Sequence, residues 1–146
     1  MASKISIESQ GIADRLHSAS IHLLRRLRRE DAQSGLNAPR LSALSAIVFG
    51  GAMTLGDLAA AEQVRPPTMT RIVNALQAQG LIVKTKNTKD GRSLYLSATP
   101  AGKKLLMEGR ERRVRALASQ IEGLPAAQRR SLRDAAEILK AVIGRI

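Results

Sequence analysis

Residues 65–80 read RPPTMTRIVNALQAQG, and the two prolines at the head of this stretch constrain the chain more than any other feature. Pro66 and Pro67 have a fixed φ and no backbone N–H to donate. They cannot stand inside a helix, yet they suit its first turn, whose amides have no intrahelical partner. The stretch therefore predicts a helix that begins at the prolines and stops at Gly80. Its periodicity puts Met69, Ile72, Val73 and Leu76 on one side as core and Thr70, Arg71, Asn74 and Gln77 on the other. A hard start of this kind sets where the first outward side chains stand.

The flanking sequence narrows the reading. Upstream, Thr54 predicts an N-cap, Asp57 three residues on gives a capping box with the shorter acid, and Leu55, Leu58 and Ala59 supply an apolar side. That short helix should end near Gln63 or Val64, leaving room only for a tight turn, so the two helices must cross steeply. Downstream, LIVKTKNTKDGRSLYLS predicts a β-hairpin with arms Leu81 to Lys86 and Ser93 to Ser97 around Asp90-Gly91, with Leu94 and Leu96 turned inward. Lys84, Lys86, Lys89 and Arg92 face a single acid, Asp90, which suits such a tip to a phosphate backbone or a minor groove. The three lysines are equally well explained as solubilising charges.

The rest of the chain reads as helix. Ile12, Leu16, Ala19, Leu23 and Leu27 give a first helix from about Ile12 to Arg29 with one apolar stripe. Its Arg25, Arg26, Arg28 and Arg29 either meet phosphate or, more commonly for such a run, stand in water. Asn37 or Pro39 opens a second helix through Leu41, Leu44, Ile47 and Val48 to the pair Gly50-Gly51. Thr99 and Pro100 open another, with Leu105, Leu106, Val114, Leu117 and Ile121, broken by Gly123 and Pro125. In the last, Leu132, Ala135, Leu139, Val142 and Ile146 alternate three- and four-residue steps, the spacing of a helix that lies along a partner helix, in this chain or another.

Composition excludes much. The 146 residues are 44% hydrophobic, enough for a core, and the net charge of +12 with pI near 11.4 points to a polyanion, either nucleic acid or an anionic membrane. Without cysteine there is no disulfide framework and no thiolate chemistry, which fits the cytoplasm. No signal pattern opens the chain, and the longest uncharged stretch, Leu41 to Gly56, falls short of the roughly 20 apolar residues a membrane helix needs. His17 and His22 stand about 140° apart on a helix and so share no metal. Each is an exposed polar position or the wall of an effector pocket. With no phosphate loop, nucleophile elbow or carboxylate pair, the expectation is no enzyme, no metal and no cofactor. One Phe and one Tyr leave no stacking platform for single-stranded RNA, and duplex DNA suits the composition better.

Helix, tight turn, helix with a polar outer face and basic hairpin follow each other in the order of a winged helix-turn-helix. From Thr54 to Gly102 the chain resembles the MarR family of transcriptional regulators, on Thr54-Leu55-Gly56-Asp57-Leu58-Ala59, Pro67-Thr68-Met69-Thr70-Arg71, Gly80-Leu81 and Asp90-Gly91-Arg92. The flanking helices match as well. The resemblance implies a mainly α fold with a small β-hairpin wing. Residues 1–36 and 102–146 would form a helical dimerisation region, and residues 37–101 the DNA-binding domain. It further implies a homodimer on a pseudo-palindromic double-stranded operator, probing the major groove with Pro67, Thr68, Thr70, Arg71 and Asn74. Arg65 would lie near phosphate, Arg92 in the minor groove, and Asp90 would orient a neighbouring arginine. Many members are repressors that release DNA when a small aromatic or phenolic acid binds between the two regions. Pro66, the loop Asn87-Thr88-Lys89 and Ala98 depart from the family pattern, which leaves the wing's length and groove contacts open. The rival reading is a basic protein on nucleic acid or on a membrane surface, without operator specificity.

Overall fold

The computed structural model describes residues 5–86, 91 and 93–146. Most element boundaries are set by local caps. Helix α1 (Ile7–Leu27) is capped by the Ser6 hydroxyl, which accepts from the amide of Ser9, and runs into a 3₁₀ segment, Arg28–Ser34. It starts five residues before the apolar stripe that suggested Ile12, because a serine cap needs no apolar neighbour to nucleate a turn. Helix α2 (Ala38–Gly50) is capped by Asn37, with Pro39 in its first turn. It ends at Gly51, whose φ of 82° with ψ of −172° is open only to glycine.

Strand β1 (Met53–Thr54) leads directly into α3 (Leu55–Ala61), and the Thr54–Asp57 capping box is complete in both directions. Helix α3 closes with Gln63 at φ 53° while the amide of Val64 reaches back to the carbonyl of Ala59. This is a Schellman closure with glutamine where glycine is usual. It explains why the helix stops short of Gln63 and Val64. Helix α4 (Pro66–Ala78) ends the same way, with Gly80 at φ 70° and the Leu81 amide bonded to the carbonyl of Leu76.

Strands β2 (Ile82–Lys86) and β3 (Leu94–Ala98) form the hairpin, and β1 joins its other side, giving an antiparallel sheet in the order β1-β3-β2. Ile82, Lys84 and Lys86 pair with Ala98, Leu96 and Leu94, so these six residues share one face. Leu96 is 1% exposed, whereas Leu94 is 46% exposed and thus departs from the expected pair of inward leucines. It has the inward orientation, but the hairpin projects past the end of the core at that level. Helix α5 (Pro100–Glu122) starts at the expected Thr99 cap, and α6 (Ala126–Ile143) follows Gly123 and Pro125, leaving Ile146 beyond its end.

The core joins α2, α3, α4 and the sheet: Leu44, Ile47, Leu58, Met69, Val73, Leu76, Ile82 and Leu96 are fully buried. Helix α5 packs Leu105 against this cluster and buries Leu106 beside it. Among the described residues none of α1 or α6 is buried, although Leu16, Leu23, Leu132, Ile138 and Val142 stand along them. The architecture is a winged helix-turn-helix flanked by long helices, of which α1 and α6 keep apolar side chains exposed among the described residues.

Candidate nucleic-acid interface

Helix α4 is fixed from below. Met69, Val73 and Leu76 are completely buried and Ile72 packs partly against the same core. That leaves Thr68, Thr70, Arg71, Asn74 and Gln77 exposed on its outer face, the division that the periodicity predicts. The start of α4 has an unusual polar inventory. Pro66 and Pro67 have no N–H, and the amides of Thr68 and Met69 both donate to the carbonyl of Arg65 at 3.0 Å. A helix N-terminus normally offers phosphate several bare amides. Here they are absent or occupied, so cationic side chains must neutralise an anion. Arg65, at the N-cap with extended backbone, and Arg71 are both exposed and suitably placed.

The threonines differ. Thr70 donates its hydroxyl hydrogen to the carbonyl of Pro66 at 2.9 Å, leaving outward its oxygen as acceptor and its methyl group. Thr68, two residues earlier, is exposed on the same helix. Asn74 does not stand alone, because the Lys84 ammonium donates to its Oδ1 at 2.7 Å, bridging α4 to β2. Lys86 lies exposed farther along the same strand. Lys89, Asp90 and Arg92, with the loop residues Asn87 and Thr88, lie outside the described residues. The described part of the site is thus an outward row on α4 beside a strand that bears two lysines.

The expected effector histidines lie elsewhere. His17 borders a shallow hollow on α1 with Ile7, Gln10 and Asp14, and His22 is exposed on the same helix. A cavity of about 440 Å³ opens instead between α1, the 3₁₀ segment, α2 and α5, and neither histidine lines it. Its walls include Leu24, Leu36, Leu41 and Leu106, with Ser42 and Ser45 among them. Its lining also includes Arg28 and an ion pair between Asp31 and Arg113. No local signal marks these residues. Arg28 is hidden in a run of arginines, and Asp31 and Arg113 lie 82 positions apart. Among the described residues no cluster of His, Cys, Asp or Glu could hold a metal ion, and no helix is long and apolar enough to cross a membrane.

Several known proteins are similar. The pattern of the MarR family matches residues 36–94. An HTH-type transcriptional regulator of Mycobacterium tuberculosis is 35% identical over 132 residues, covering 90% of this chain and 92% of that protein. The HTH-type transcriptional repressor MdtR of Bacillus subtilis is 30% identical over 70 residues, covering 48% of this chain and 45% of its own. Among solved structures, the transcriptional regulator Tm0710 from Thermotoga maritima superposes with a TM-score of 0.84 at 24% identity, covering 93% of this chain and 96% of that one. That last likeness is one of fold.

Proposed function

The chain belongs to the MarR family of transcriptional regulators, a family of regulators and not of enzymes, and from that premise we propose that it is a homodimeric repressor acting in the cytoplasm on a pseudo-palindromic operator. One observation supports this reading most strongly: α4 is locked into the core by three completely buried side chains while Thr68, Thr70, Arg71 and Asn74 stand exposed in a row. A rigid helix with a polar outer face and a fixed start is what major-groove readout requires. Arg65, Arg71 and Lys86 then supply phosphate neutralisation and, at Arg71, contact with a base edge. Repression is the stated activity of the relative MdtR and comes to this chain by analogy.

Dimerisation follows from what the chain leaves uncovered. The apolar residues of α1 and α6 are exposed within one chain, and burying such faces against a second copy is favourable by about 25 cal/mol per Å². Two α4 helices related by a two-fold axis then require half-sites about one helical turn apart, roughly 34–36 Å.

The cavity supports effector control. Its volume falls within the roughly 300–1,000 Å³ of small-molecule sites, and largely apolar walls with Arg28 in the lining suit a small aromatic or phenolic acid. Helix α2 forms one wall and packs on α4, while α1 and α5 belong to the dimerisation region. An occupant that wedges these groups apart alters the separation of the two α4 helices, and with it the fit to the half-sites. Gel-shift titration tests the reading. Arg71→Ala should weaken the selected operator by about 1–3 kcal/mol, which is roughly five- to 150-fold, and blur sequence preference. Equal loss on operator and on random duplex would show that Arg71 reads no base.

A further inference from the structure

We infer that Lys84 is a specificity-determining residue, which orients the Asn74 carboxamide so that the pair reads guanine at one position of each half-site. The inference rests on the proposed function and concerns how α4 discriminates between bases.

The geometry leaves one orientation for the amide. A lysine ammonium has three donors and no acceptor, so the atom of Asn74 that it meets at 2.7 Å must be the carbonyl oxygen and not the amino group. Lys84 is itself well placed to hold the amide. Its backbone lies in the hairpin opposite Leu96, which is buried, and its own residue is half-buried, so the ammonium reaches α4 from a fixed strand. Asn74 is exposed on the same outward face as Arg71.

The consequence for base reading is direct. An unrestrained asparagine reads adenine with both ends of its amide, accepting from N6 and donating to N7. With one of the two lone pairs of Oδ1 engaged by a cation, that oxygen is crowded and a poorer acceptor for a base, and the amino group of Asn74 is turned away from the lysine. Two Nδ2 hydrogens remain, together with the free donors of the Lys84 ammonium. The pair is thus dominated by donors, with one cation-weakened acceptor left on Oδ1. Guanine is the purine whose major-groove edge presents acceptors only, N7 and O6, and so matches this excess of donors, whereas adenine must place its N6 donor on the weakened, crowded oxygen. Lys84 thus acts through Asn74 and beside it, and is not simply one more cation on the backbone.

Selection of bound sequences from a random duplex pool tests this, with the wild-type chain, Lys84→Met, Lys84→Arg and Asn74→Ala compared in parallel and thermal unfolding confirming that each variant is folded. The wild-type site should contain one guanine per half-site, in symmetric positions, that Asn74→Ala abolishes. In Lys84→Met the guanine-over-adenine ratio at that position should fall about ten-fold, the other positions holding their preferences. Lys84→Arg, which keeps a cationic donor on Oδ1, should restore most of it. The inference is overturned if Lys84→Met keeps the guanine and loses affinity equally on every sequence, with a salt slope lower by about one, since Lys84 is then a phosphate contact. It is also overturned if Asn74→Ala leaves the base preference intact. A wild-type chain that enriches no symmetric sequence refutes the proposed function itself, an outcome distinct from either of these.

Discussion

Replacing Gly102 with alanine would put a methyl group where the chain already has a carbonyl. A Cβ at this position stands 2.1 Å from the Leu81 carbonyl oxygen, 3.1 Å from its carbon and 3.3 Å from Leu44 Cδ1. The nearest obstacle is backbone, which cannot swing aside as a side chain would, so α5 and the α4–β2 junction must separate by roughly an ångström. Several bonds span that gap. The Leu81 carbonyl accepts from the Thr99 amide at 3.0 Å, the Thr99 hydroxyl donates to the Gly80 carbonyl at 2.6 Å, and the Gly102 amide donates to the same hydroxyl at 3.1 Å. Overpacking costs about 1–3 kcal/mol, and a lost N-cap costs about 1 kcal/mol more. Alanine returns at most about 1 kcal/mol through its better helix propensity. The expected net loss is about 1–3 kcal/mol, which for a chain of this length lowers Tm by about 3–12 °C. Thermal unfolding followed by circular dichroism, at matched protein concentrations because a dimer's Tm depends on them, measures it. A Gly102→Ala protein that melts within a degree of wild type would refute the close-approach argument, and with it the rigid joint between α5 and the reading head.

The other predictions concern binding and assembly. Lys86→Ala should weaken operator and random duplex alike and lower the salt slope by about one, which titrations at several salt concentrations would resolve; a loss confined to the operator would contradict a phosphate role. Leu132→Glu combined with Val142→Glu puts charge on the exposed apolar face of α6 and should turn the proposed dimer into monomer by light scattering, with operator affinity falling with it. If the double variant remains dimeric, that face lies outside the interface.

The features legible in the sequence are those decided within a few residues. A threonine three positions before an acid, a proline after a threonine and a glycine after a periodic run each fix hydrogen bonds that close locally. Thr54, Thr99 and Gly80 accordingly do what the sequence predicts. The features that depend on a distant partner were not legible. Strand β1 is two residues long and owes its existence to Tyr95 and Leu96, with which it pairs. Leu94 has the periodicity of a core residue, but its exposure depends on where the core ends. Gln63 adopts a left-handed conformation for which glutamine has no preference, imposed by the tight joint between α3 and α4. The site divides along the same line. The outward row of α4 follows from helical spacing, whereas the Lys84–Asn74 contact and the walls of the cavity require the folded chain, because the hairpin and α5 bring them together.

The sheet order has a consequence for solubility. With β3 in the centre, the strands open to solvent along their outer sides are β1, too short to recruit another strand, and β2, long enough to do so. Lysines along such a border discourage strand addition from a neighbouring molecule, because stacking like charges in register is unfavourable. Lys84 and Lys86 thus also act as gatekeepers against ribbon-like aggregation. A pair of valines there would leave five consecutive β-prone side chains on an open border, so selection that tunes this strand for its nucleic-acid target also has to keep the protein dispersed.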